Sequence, residues 1–181
     1  MTDPLEVFRA VADLGPDIAT TVHQLLTGLE VRAVKTARPA SGSADLTATA
    51  VQTGRTVTVV TNNSGTAVAA YLARHDLAGY VGKIVGRDNP DPALMKPSPY
   101  RVRIAVGSLG AEPEDCVFIG DTVTDVLAGL HGGVAVIGYA NKPGKDKALA
   151  EAGARAVVIE LDRITDALRD TRSLHCRIEP Y

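Results

Sequence analysis

The chain has 181 residues, enough for one domain with at most a small appendage. With 45% hydrophobic and 22% charged residues it can bury a sizeable core, which excludes wholesale disorder. A net charge of −2, no basic cluster and few aromatics (two Phe, five Tyr, no Trp) leave no electrostatic footprint and no stacking platform for nucleic acid.

Apolar residues at helical spacing predict helices over 4–14 and 17–29, through Leu5, Phe8, Val11 and Ala12, then Ile18, Val22, Leu25, Leu26 and Leu29. Gly15-Pro16 breaks the two apart, and the pair reads as an αα-hairpin. Residues 30–44 are ambiguous: VRAVKTA could extend a helix, whereas RPASGSAD is loop chemistry. A helix at 45–53 ends at Gly54, and the β-branched run TVTVV (56–60) stops at Thr61-Asn62-Asn63-Ser64-Gly65. Next come a helix (66–76), the strand KIVG (83–86), a Pro-rich loop (89–99) and a helix from about 100 to 110. CVFI (116–119), a helix at 122–131, VAVIG (134–138), a helix at 145–153, AVVI (156–159) and a helix at 162–169 complete the run. Alternating strands and helices, with continuous apolar strands, predict a doubly wound, Rossmann-like α/β core covered on both faces. The boundaries expected are a partial helical cap segment at 1–44, the core at 45–172 and a tail at 173–181.

The N-terminal MTDPLEVFRAVADLGPD has charges throughout, and no window approaches the ~18 apolar residues of a membrane span. A cytoplasmic protein with no membrane partner is expected. Cys116 and Cys176 lack CxxC or Cys/His spacing and read as reduced thiols, with a disulfide as the alternative.

In a doubly wound sheet the carboxyl ends of the strands form the ligand crevice. Asp121 and Asp125 follow one strand at i, i+4 spacing, so both lie on one face. Close carboxylates repel unless a cation lies between them, and oxygen-only ligation suits Mg²⁺. The bland reading is two acids complementing a helix dipole. Thr61, Asn62 and Asn63 follow another strand, where a hydroxyl and successive amides can cradle an anion or simply cap a helix. Lys96, stiffened by Pro97 and Pro99, can neutralise charge on a phosphoryl group or be an ordinary loop residue.

Taken together, TNNSG, then KPSP, then CVFIGDTVTD and GYANKPGK closely resemble the haloacid dehalogenase-like (HAD) hydrolases, in their phosphatase branch, over residues ~45–170. The resemblance implies that Thr61 binds the transferring phosphoryl group, Lys96 orients it, Asp121 ligates Mg²⁺ and Asp125 supports the site. It also implies a small phosphorylated metabolite as substrate. A homodimer is left open.

The family's chemistry begins with an Asp-x-Asp motif at the end of its first strand, whose first acid attacks phosphorus and whose second is the general acid and base. No Asp-x-Asp occurs anywhere in this chain. The nearest imitation, Asp13 and Asp17 in VADLGPD, follows a helical period and reads as cap helix. In the family that first strand is central, flanked by the strands that here are 56–60 and 116–119. The expectation is an unfilled groove, or a substitute strand from EVRAVKT (30–36) or a partner chain. The chain then reads as N-terminally shortened: a fragment, a misplaced start or a degenerate paralogue. Two functions remain open, a Mg²⁺-dependent phosphatase whose nucleophile lies elsewhere and a catalytically inactive phosphate- and Mg²⁺-binding relative. A response-regulator receiver is rejected, because there the acids precede the Thr and Lys.

Overall fold

The computed structural model describes residues 4–11 and 14–175. Helices α1 (Pro4–Ala10) and α2 (Pro16–Val34) form the expected helical pair, with Pro16 in the first turn of α2, where its missing N–H goes unused. α2 runs on through Val34, because neither Gly nor Pro interrupts residues 29–34. EVRAVKT is therefore mostly helical and supplies no substitute strand.

There follow α3 (Ser43–Gln52), β1 (Val57–Val60), α4 (Gly65–Arg74), β2 (Val81–Val85) and α5 (Tyr100–Leu109). Then come β3 (Val117–Gly120), α6 (Val123–His131), β4 (Ala135–Tyr139), α7 (Lys145–Glu151), β5 (Ala156–Val158) and α8 (Asp162–His175). Every strand pair is parallel, and helices lie between successive strands: a Rossmann-like α/β fold. Cys116 is a free, half-buried thiol whose pKa is raised by burial and by Asp115, while Cys176 and Asp13 lie outside the described residues. Among the described residues no helix is long and apolar enough to cross a membrane.

Two apolar clusters hold the layers together. Val102, Val106, Ala128 and Val134 form one, and Val126, Val136, Ala140 and Leu149 the other. Phe118 of β3 packs against both, and Val60 of β1 against the first. The ladder itself is interrupted. The strand orders are β2-β1 and β3-β4-β5, and no described strand joins β1 to β3.

The helical pair is fastened to the core by buried charge. Arg87, just after β2, is wholly inaccessible, as is almost all of Arg101. Arg87 Nε donates to Asn62 O (3.0 Å), Nη1 meets His23 Nδ1 (2.7 Å), and Nη2 pairs with Glu30 Oε1 (2.8 Å). Its guanidinium also stacks over Phe8, 5.1 Å from the ring centroid. Two helical residues thus satisfy an arginine that would otherwise be buried alone, which explains why α2 is held where it is. His23 of α2 is one of these partners.

Burial, then the Arg87 charge, push the His23 ring below its usual 6.5, outweighing the pull of Glu30 and Asp88. A depressed native pKa means that the folded state binds fewer protons than the unfolded chain. This contribution is fully present above about pH 6.5, the unfolded value, and is lost as pH falls toward the native one. The melting temperature should accordingly drop between about pH 7 and about pH 5, and His23→Gln should flatten that part of the profile. An identical profile for H23Q and the parent would refute the assignment.

Candidate functional site at the strand ends

Thr61 stands one residue beyond β1, its N–H bonded to Val85 O of β2 (3.1 Å). Its Oγ1 accepts from Asn63 N (3.1 Å), the hydroxyl-closed turn that a Thr after a strand favours. Asn62 is buried, and its amide clamps the lysine loop: Oδ1 accepts from Lys96 N (2.9 Å) and Nδ2 donates to Lys96 O (3.4 Å). Asn63 is exposed, and its carbonyl accepts from Arg87 N (2.8 Å).

The amides that open α4 are not free to cradle an incoming anion. Ser64 N donates to Glu30 Oε2 (2.8 Å) and Gly65 N to Asp88 Oδ1 (3.3 Å). Two of the chain's own carboxylates hold the place where sequence reasoning put a phosphate. Ser64 Oγ meanwhile caps the helix, accepting from Ala67 N (3.2 Å). The close approach of β2 depends on Gly86, where a Cβ would fall 2.5 Å from Gly65 N.

Lys96 joins the two halves of the site. Its ammonium donates to Val60 O (3.5 Å), pairs with Asp125 Oδ1 and lies 5.7 Å from the Phe118 ring centroid. Val60 ends β1, while Asp125 sits in the first turn of α6, just past the end of β3. The loop lysine and the second acid, 29 residues apart, therefore meet.

Asp125 is almost wholly buried and fully engaged. Oδ2 accepts from Asp121 N (3.1 Å), Thr122 N (3.0 Å) and Thr122 Oγ1 (2.7 Å), completing a capping box for α6. Gly120 is what permits this fold-back, because a Cβ there would stand 2.3 Å from the Asp125 Cβ. Asp121 is different. Its side chain is 41% exposed, and both hydrogen bonds it accepts from described residues fall on Oδ2, from Lys145 Nζ and Asn141 Nδ2. Burial alone would raise its carboxyl; the Lys145 bond and charge, then Asn141 and Lys96, prevail and hold it below the usual carboxylate range. Asn141 and Lys145 both lie in the stretch GYANKPGK. Their signal was only the resemblance of that stretch, since no spacing rule ties residue 145 to residue 121.

The two acids do not make a symmetric clamp for a cation. With Asp125 committed to Lys96 and the capping box, Asp121 alone presents a carboxylate to the rim. Among the described residues no group of three or more His, Cys, Asp or Glu side chains is gathered to hold a metal ion. The donor set fits a divalent ion only in part. A surface cleft of about 560 Å³ lies elsewhere, lined by Leu94, Ser98, Pro99, Tyr100, Arg103 and Ile104.

A sequence model of the haloacid dehalogenase-like hydrolases matches residues 7–133. The chain belongs to this family. Similar proteins include the phosphoglycolate phosphatase of Pectobacterium atrosepticum, 30% identical over 119 residues, which are 65% of this chain and 48% of that protein. That of Photorhabdus laumondii is 30% identical over 80 residues, 44% of this chain and 33% of the relative. The chain thus spans about a third to a half of the length of these curated relatives. Among solved structures, a predicted phosphatase from Clostridium acetobutylicum superposes with a TM-score of 0.64 at 26% identity, covering 72% of this chain and 59% of that one. A haloacid dehalogenase-like protein of unknown function from Agrobacterium tumefaciens shares the fold at a TM-score of 0.69 and 16% identity, with 92% and 77% covered. The scaffold is that of a HAD-like hydrolase.

Proposed function

We propose that these 181 residues form the phosphoryl-binding and metal-facing part of a Mg²⁺-dependent phosphatase for a small phosphorylated metabolite, and that the attacking carboxylate lies outside them. The observation that carries this reading is the Lys96 ammonium held by Val60 O and Asp125 at the ends of two strands. An ammonium has three donors, so one remains for a phosphoryl oxygen. Asn62 fixes the lysine's main chain from both sides, which lowers the cost of holding that donor in place. In this reading Thr61 and Asn63 border the phosphoryl group, Asp121 lends an oxygen to the ion, and Asp125 braces the lysine.

Mg²⁺, when bound, supplies neutralisation of charge on the phosphoryl oxygens. The partial donor set agrees with a site whose remaining ligands come with the missing acid. The amides of α4 already hold Glu30 and Asp88, which favours Lys96 as the phosphoryl anchor over the helix start. Phosphoglycolate, named for the curated relatives, is the first substrate to test.

Loss of a nucleophile lowers turnover by orders of magnitude, whereas binding can survive. The 181-residue chain should release no phosphate above buffer from p-nitrophenyl phosphate or phosphoglycolate with Mg²⁺. It should still broaden the ³¹P resonance of inorganic phosphate, and Lys96→Met should abolish that broadening. Turnover that disappears in Asp121→Ala would place the nucleophile within the chain and overturn the proposal. Broadening unchanged in K96M would remove Lys96 from the site.

A further inference from the structure

One side of α2 is spent on the chain itself: Ala19 and Leu26 are buried, and Leu26 packs with Phe8 of α1 and Met95. About a quarter-turn round the helix stand Ile18, Leu25 and Leu29, within about 40° of one another about its axis. Leu25 and Leu29 are 64% and 50% exposed, Ile18 is exposed as well, and so is Leu14, two residues before the helix. Between Ile18 and Leu29 the sequence has no Asp, Glu, Lys or Arg. Ile18, Thr21, Leu25 and Gly28 alternate three and four apart, the spacing of a seam between two helices. Thr21 donates its hydroxyl to Asp17 O (2.9 Å), so its donor is already satisfied. At Gly28 an added Cβ would meet nothing within 4 Å, which leaves the helix backbone open beside Leu25 and Leu29.

Charges of opposite sign bracket this stripe. Asp17 and Arg32 are exposed on one flank of it, one at each end, and neither forms an ion pair among the described residues. Two such helices set antiparallel, with Ile18 opposite Leu29 of a second copy, bring Leu25 beside its own counterpart near the two-fold axis. Asp17 then lies within two residues, about 3 Å along the axis, of Arg32 of the second copy, and symmetry makes that pair twice. A parallel arrangement would set Asp17 against Asp17 and Arg32 against Arg32, like charges side by side. A lipid surface is a poorer occupant, because it favours a flank rich in Lys and Arg.

We infer that this face of α2 joins a second copy of the chain in an antiparallel helix pair about a two-fold axis. The leucines supply the buried contact, and Asp17 and Arg32 set the orientation. One helix from each chain makes a small interface, so the pair is a reversible one that forms with concentration. The inference is about assembly and stands apart from the phosphatase reading.

Sedimentation velocity of the 181-residue chain tests it. Between about 5 and about 500 μM the weight-average mass should climb from one chain toward two. Leu25→Glu puts a charge near the axis from both copies and should raise the dissociation constant about tenfold or more. Leu25 is exposed, so this variant should keep the parent's melting temperature. Arg32→Asp should weaken pairing about fivefold, and adding Asp17→Arg should return it to within about twofold of the parent. One chain's mass at every concentration would overturn the inference, as would an L25E dissociation constant equal to the parent's. A D17R/R32D chain that pairs no better than R32D would exclude the antiparallel arrangement and overturn it too. So would a single-copy chain that floats with phosphatidylglycerol vesicles, which would assign the face to a membrane.

Discussion

Arg87→Met should lower the free energy of unfolding by roughly 3–5 kcal/mol, the cost of removing one partner from a buried ion pair. The guanidinium is wholly inaccessible and its donors are divided among Glu30, His23 and Asn62 O. Methionine fills much of the volume but leaves the Glu30 carboxylate, 12% exposed, facing apolar surface. For a chain of this size that loss corresponds to a fall in melting temperature of roughly 6–20 °C. Urea denaturation should show a lower midpoint with an unchanged slope. Glu30→Gln in the same chain should recover part of the loss, because the stranded charge is then gone. A single R87M variant within about 1 kcal/mol of the parent would show that this network does not fasten α2 to the core.

Asp125 and Asp121 should behave oppositely although they stand four residues apart. Asp125→Ala removes the partner of Lys96, whose side chain is 12% exposed, and leaves the amides of Asp121 and Thr122 without their acceptor. A stability loss of roughly 3–5 kcal/mol is expected, of which about 0.5–2 kcal/mol belongs to the helix cap. Adding Lys96→Met should restore part of it by removing the unpaired ammonium. Asp121→Ala removes a half-exposed acid whose lysine partner is itself 29% exposed, and such a pair contributes about 0–1 kcal/mol. Denaturation of the three variants side by side decides the matter. Equal losses for D121A and D125A would contradict the division of labour in which Asp125 braces the site and Asp121 faces its rim.

The alternation of strand and helix was legible because it depends on local period. TVTVV, CVFI and VAVIG are apolar and β-branched runs, and each lies within a residue or two of an observed strand. Helix ends were read less well. The last helix continues to His175 and α2 to Val34; in α2 the polar Glu30 is held by Arg87 and Ser64, partners far away in the sequence. That Thr61 follows one strand and Asp121 and Asp125 another was legible from the apolar runs before them, and the rule for parallel sheets puts such loops at one edge. Which partner each would take did not follow.

Composition and periodicity were enough to specify a parallel α/β core, the absence of an Asp-x-Asp pair and the polar residues at the strand ends, because each of these is written in near-neighbour spacing. Tertiary structure alone decided that Asp125 serves Lys96 and its own helix cap, that Glu30 and Asp88 fill the amides of α4, and that no described strand joins β1 to β3. Those outcomes turn on which donors and acceptors come within about 3 Å of one another across long stretches of chain, and a hydrogen bond at that range has no signature in local sequence.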